Sequence, residues 1–191
     1  MKKKMTPKAI LVPTLSLFLI CLVVTAILAL TNNVTAEKIA ENEEQSKQES
    51  MFSVLPDAKN FQMLTEDVLY MGLDSSGNIV GYAISTAAQG YGGQVKVMTG
   101  IDTNGVIVGV DVFYNDDETP GLGKNTSNAS FRDQYKGLTT REDIYVSKDN
   151  ASSNAQSVDA VTSATISSRA VTRAVNEACD IYNKYAAKEA E

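Results

Sequence analysis

The spacing of hydrophobic and polar positions changes character three times along this chain. From Ala9 to Thr31, "AILVPTLSLFLICLVVTAILALT", no charged residue interrupts an apolar run. A bilayer core takes about 20 such residues as a helix, so the run predicts a membrane span with Pro13 in its first turn. Residues 35–50 then turn polar and charged, with strong helix formers, and predict a juxtamembrane helix or spacer. From Val68 the period falls to two. "VLYMGLD", "IVGYAISTA", "QVKVMTGID" and "VIVGVDVFY" read as strands of a meander, with "SSGN" as one turn and Asn104-Gly105 as a hairpin signal. In the last of them Val106, Val108, Val110 and Val112 should share one face and Ile107, Asp111 and Phe113 the other, so the strand should be covered on both sides. A loop follows, then a short helix around "SFRDQYKGL" and a further strand at "DIYVS". Residues 166–187 return to helical spacing, with Ala170, Val171, Ala174, Val175, Ala178, Ile181, Tyr182 and Tyr185 as the packing face. The expected fold class is α+β: one N-terminal transmembrane helix, then an antiparallel sheet packed by helices. The expected limits are 1–8 for a basic tail, 9–31 for the span, 32–50 for a spacer and 51–187 for the folded domain.

Charge orients this arrangement. Lys2, Lys3, Lys4 and Lys8 precede the first acid, Glu37, so the positive-inside rule places the N-terminus in the cytoplasm and the domain outside, on a single-pass cell-membrane protein. The apolar run exceeds the 7–15 residues usual for a secretory signal, and Ile20 stands before Cys21 where a lipoprotein signal has a small residue, so an uncleaved anchor is expected. The formal net charge of −6 includes those four lysines, so the outer part is more acidic still and would repel nucleic acid. Histidine is absent, which removes His-based triads and His-ligated zinc or haem. The two cysteines, Cys21 and Cys179, form no CxxC, and Cys21 lies in the apolar run, so thiol redox chemistry and cluster ligation have no residues. A redox role would require an organic cofactor.

Three segments could carry chemistry. "QGYGGQV" places Gly90, Gly92 and Gly93 where they either join two strands or let a flat ligand approach. In "DDETPGLGKN", Thr119-Pro120-Gly121 suits a type II turn, and Gly121 and Gly123 around Leu122 would expose backbone N–H groups to an anion or a ring edge. "DAVTSATISSRAV" sets Thr162, Ser163 and Thr165 just before the closing helix. Ser163 or Thr165 could simply cap it. The same helix end could instead hold a phosphate, with a threonine hydroxyl as its ester partner.

Together, "GYGG", "ETPGLG" and "DAVTSAT", in that order behind a single anchor, resemble the covalent-FMN-binding domain of RnfG, a component of the Rnf electron-transport complex. The related NqrC component of the sodium-pumping NADH:quinone oxidoreductase shares this domain. The resemblance implies FMN esterified through its phosphate to Thr165, attached by a separate flavin transferase that reads Asp159. It implies that Thr162, Ser163 and Ala164 border the phosphate or ribityl chain, and that Glu118, Thr119, Gly121, Leu122 and Gly123 line the ring. Lys124 would offset negative charge and Tyr91 could stack on the ring. Ser163 departs from the pattern, which usually has glycine there, and "NDD" replaces a segment where relatives often carry histidine. The implied role is an electron relay between ferredoxin and NAD, coupled to Na⁺ or H⁺ translocation, beside other membrane and iron–sulfur subunits. An NqrC-like component, a stand-alone surface flavin reductase and a non-catalytic anchored binding module remain as alternatives. No GxGxxG follows a strand, so NAD itself is expected to bind elsewhere.

Overall fold

A computed structural model describes residues 7–147 and 156–189; the lysines at 2–4 lie outside them. The chain divides into two units, residues 1–44 and 45–191. Helix α1, Pro7–Val54, begins in the first and ends in the second. Within the first unit it is long and apolar enough to cross a membrane, and every described side chain from Ile10 to Thr31 is exposed. Pro13 stands inside this helix and not in its first turn, because the helix already starts at Pro7.

The second unit is built on a five-stranded antiparallel meander in simple order: β1 Asn60–Thr65, β2 Leu69–Leu73, β3 Ile79–Gln89, β4 Gln94–Ile101 and β5 Ile107–Tyr114. Strand β1 carries no alternation that sequence could reveal, since four of its six residues are exposed along the sheet edge. The turns follow one device. Asp74 accepts from the N–H groups of Ser76 and Asn78, and Asp102 accepts from those of Asn104 and Val106, closing each turn on a carboxylate.

Both faces of the sheet are covered. On one lies α3, Thr165–Glu189, whose Ala170 is fully buried and whose Val171, Ala174, Val175 and Ala178 share a buried cluster with Val95, Val97 and Ile101 of β4. On the other lie the last turns of α1, where Met51, Val54 and Leu55 pack with Tyr70, Ala83 and Met98. Burying a side chain such as Val54 contributes roughly 1.5–3 kcal/mol. Gly100 and Gly109 are paired on β4 and β5, and a Cβ at Gly100 would stand 2.4 Å from the Val54 carbonyl oxygen, so glycine lets the helix end reach the sheet.

Strand β5 departs from the expected facing. The register slips between Gly100 and Ile101, so that Ile101 pairs with Ile107 and Val108 is left over. Ile107 therefore joins Val110 and Val112 in the α3-side core, whereas Val108 is exposed. The short helix appears as α2, Ala129–Arg132, with a 3₁₀ turn at Asp133–Tyr135. β6, Tyr145–Ser147, pairs in parallel with β7, Ser157–Asp159, a strand that leads directly to the head of α3. Cys179 is buried in the core, and desolvation pushes its thiol up to about 12, which keeps it unreactive.

Candidate functional site

The head of α3 is the organising feature. The Ser168 N–H donates to the Ala164 carbonyl, which makes Ala164 the N-cap and Thr165 the first helical residue. Alanine offers no side-chain acceptor, so neither Ser163 nor Thr165 caps the helix as the simpler sequence reading has it. Among the described residues no acceptor meets the N–H groups of Thr165, Ile166 and Ser167. The hydroxyls of Thr162, Ser163 and Thr165 likewise make no hydrogen bond among the described residues. Free N–H groups at a helix start, with the positive end of its dipole, form a seat for an anion.

This helix start is held firmly. Ala164 N–H donates to the Val161 carbonyl, closing a turn whose third residue, Ser163, has φ 61°. Ser168 Oγ accepts from Val161 N–H at 3.0 Å and donates to the Ala164 carbonyl at 3.0 Å, bracketing the same turn from below. Behind it, Tyr135 and Thr172 share a buried hydroxyl–hydroxyl bond of 2.7 Å, and Thr86 donates to the Ala174 carbonyl. Helix α3 is thus tied to the sheet and to the α2 segment over its first three turns.

Facing the helix start is the turn around Pro120. Leu122 N–H donates to the Thr119 carbonyl, and Gly121 has φ 77°, as a type II turn requires at that position. The glycines of "GYGG" join β3 to β4, the first of the two readings the sequence leaves open. None has positive φ. A Cβ would stand 2.1 Å from Glu118 Oε1 at Gly90, 1.9 Å from the Asp117 carbonyl oxygen at Gly92, and 2.5 Å from Asp117 at Gly93. They are small so that the β3–β4 loop can lie against Asp117 and Glu118.

Between these pieces opens a cavity of about 580 Å³, lined by Glu118, Thr119, Leu122 and Gly123 on one side and by Ser163, Ala164 and Thr165 on the other. Tyr91, Leu122 and Ile166 lie on it with 71%, 41% and 54% of their surface exposed, an apolar rim around a polar floor. A second cavity of about 560 Å³ lies on the other side of Leu122 and Ser163, which border both, and it contains Gly121, Thr162 and Asp159. Lys124 lines neither cavity, and its ammonium pairs with Asp116 at 3.0 Å. The sequence reading missed Ser167 and Ser168. Their signal was present, since both fall on the stripe of α3 that otherwise carries buried alanine and valine, where a hydroxyl needs a partner.

The residues fit a phosphorylated, flat, partly apolar group. The free N–H groups would take the phosphate, the Thr165 hydroxyl stands at the same turn, and the rim offers ring-sized apolar contact. Comparisons with known proteins agree. Residues 90–180 match the FMN-binding domain family, and residues 1–54 match the family described as RnfG N-terminal region. The chain is 36% identical over 187 residues to the G component of the Na⁺-translocating ferredoxin:NAD⁺ oxidoreductase complex of Acetobacterium woodii, covering 88% of this chain and 89% of that one. It is 32% identical to the G component of an ion-translocating oxidoreductase complex of Methanosarcina acetivorans, covering 86% and 90%. Among solved structures, the C component of the Na⁺-translocating NADH-quinone reductase of Parabacteroides distasonis shares the fold at a TM-score of 0.55 and 24% identity. That match covers 62% of this chain and 61% of the other.

Proposed function

This chain belongs to the RnfG family of ion-translocating oxidoreductase complexes, and from that premise we propose that it is an FMN-bearing electron relay of such a complex. FMN is held as a phosphoester on Thr165. The complex moves electrons between ferredoxin and NAD and couples them to Na⁺ or H⁺ translocation. The observation that carries this reading is the head of α3: three N–H groups unpaired among the described residues and the Thr165 hydroxyl, half-buried on a cavity with an apolar rim.

When bound, FMN supplies electron-transfer chemistry that no side chain here can, since histidine is absent and the cysteines form no redox pair. The chain's own part is placement. The N–H groups of Thr165, Ile166 and Ser167 neutralise phosphate charge, and Ser163 and Ala164 border it. Leu122 and Tyr91 cover a ring, with Glu118, Thr119 and Gly123 beneath. Gly121 supplies the turn that presents Leu122. Lys124 acts from outside the cavity, through its pair with Asp116. A covalent bond at Thr165 makes retention independent of dilution, which matters for a domain outside the membrane. A flavin transferase makes that bond with FAD as donor: the Thr165 oxygen takes the FMN phosphate, its proton is lost, the FAD pyrophosphate bond breaks and AMP leaves. The transferase docks over the second cavity, where Asp159 and Thr162 are reachable. The N-terminus lies in the cytoplasm and residues 9–31 span the membrane. The FMN-binding domain, 51–187, works outside beside membrane and iron–sulfur subunits.

The test is co-expression of the full chain with a flavin transferase, acid denaturation and gel electrophoresis. Flavin fluorescence should stay with the band and vanish in Thr165→Val. A fluorescent Thr165→Val band would refute the attachment site, and a colourless wild-type band would refute the covalent cofactor.

A further inference from the structure

Glu118 is 2% exposed, yet among the described residues no lysine or arginine pairs with it. Donors meet it instead. Oε1 accepts from Tyr91 N–H at 2.7 Å and more weakly from Gly92 N–H at 3.4 Å, and Oε2 accepts from Ser167 Oγ at 2.7 Å. A ring of donors with no acceptor suits a carboxylate, and charge-assisted bonds of this kind are among the strong ones. Glycine makes the space on two sides, because a Cβ would stand 2.1 Å from Oε1 at Gly90 and 1.9 Å from Oε2 at Gly123. The donors come from two separate stretches, the β3–β4 loop and the first turn of α3, while Glu118 itself stands at the start of the Pro120 turn, the third. Glu118 is the side chain that joins all three around the cavity.

Resting on the FMN reading above, we propose that Glu118 is the positioning residue of the cofactor cavity, and that its charge keeps the bound flavin hard to reduce. The joint sets Tyr91 on one rim against Thr165 on the other. The charge has hydrogen bonds but, among the described residues, no counter-ion. A negative group on the cavity floor, itself 2% exposed, opposes the addition of electrons to whatever the cavity holds.

Two measurements on the full-length chain in detergent test this. In protein made without the transferase, amide hydrogen exchange is followed in peptides covering residues 90–93. In flavinylated protein, the flavin midpoint potential is read by redox titration. Glu118→Gln keeps the shape, removes the charge and turns one acceptor into a donor. It should speed exchange at 91 and 92 about tenfold and raise the potential. Glu118→Asp keeps the charge on a shorter arm, and should speed exchange while leaving the potential near wild type. A merely structural Glu118 would move exchange in both variants and the potential in neither, and that result overturns the proposal, as does wild-type exchange in Glu118→Gln. Should Glu118→Gln not fold, Ser167→Ala removes a single donor and should still speed exchange at 91 and 92; wild-type protection there is equally fatal. Failure of the FMN reading would show separately, as a wild-type protein without flavin whose loop is still clamped.

Discussion

Ser163 is a non-glycine residue held at φ 61° in the turn that delivers Thr165 to the cavity. The left-handed conformation costs an L-residue roughly 1–2 kcal/mol, because Cβ crowds the following carbonyl. Glycine avoids that crowding but loses about 0.5–1 kcal/mol more chain entropy on folding. The Ser163 side chain is exposed, and its hydroxyl has no partner among the described residues, so its removal forfeits no internal bond. Ser163→Gly should therefore stabilise the unmodified protein by about 0.5–1 kcal/mol. For a chain of this size that is a rise of about 1–4 °C in melting temperature. Ser163→Ala separates the causes, since it deletes the hydroxyl and keeps Cβ, and it should stay within about 0.5 kcal/mol of wild type. Thermal unfolding of full-length protein in detergent, followed by circular dichroism in the absence of flavin, measures all three proteins. A Ser163→Gly protein that melts below wild type, or a Ser163→Ala protein that gains as much as the glycine variant, would refute the strain argument.

Gly92→Ala places a methyl 1.9 Å from the Asp117 carbonyl oxygen, a backbone atom. It should cost about 1–3 kcal/mol in denaturant unfolding and lower flavin incorporation, because the β3–β4 loop must lift off the Pro120 turn. Thr99 is fully buried on β4, and its Oγ1 is without a partner among the described residues, so Thr99→Val should be neutral or stabilising by about 1 kcal/mol. A clear loss of stability in urea would show that the hydroxyl has an unseen role. The Lys47 hydrogen bond holds the Asp67 carboxyl below its ordinary value. A depressed folded-state value gives stability that is present above the ordinary carboxylate range and lost as pH falls through the folded one. Asp67→Asn should thus flatten the acid limb of the stability profile below about pH 4 and leave the profile above about pH 7 parallel to wild type.

Much of this site is legible along the chain. Proline followed by glycine in "TPGLG" specifies its turn locally, and Gly121 adopts the positive φ that turn needs. The stripe from Ala170 to Ala178 predicts which face of α3 is buried. "DAVTSAT" next to a helix start marks the place where hydroxyls and free N–H groups coincide. The readings that fail share a cause. Val108 leaves its expected face because a bulge, set by pairing with β4, shifts the alternation within β5. Strand β1 is invisible because an exposed edge imposes no pattern on its residues. Ser163 and Thr165 do not cap the helix because the turn before it is closed by Val161 and braced by Ser168.

Residue order alone dictates the elements whose cause is short-range: an uncharged run long enough for a bilayer, alternation between turn residues, a helical stripe, a Pro-Gly turn. Each depends on neighbours within a few positions, where backbone sterics and side-chain period act directly. The folded chain settles which distant groups meet. Glu118 reaches Tyr91 across 27 positions and Ser167 across 49, and the glycines at 90, 92 and 123 clear the space for that meeting. No local pattern encodes those contacts, because packing the Pro120 turn and the β3–β4 loop against the head of α3 is what brings them within bonding distance.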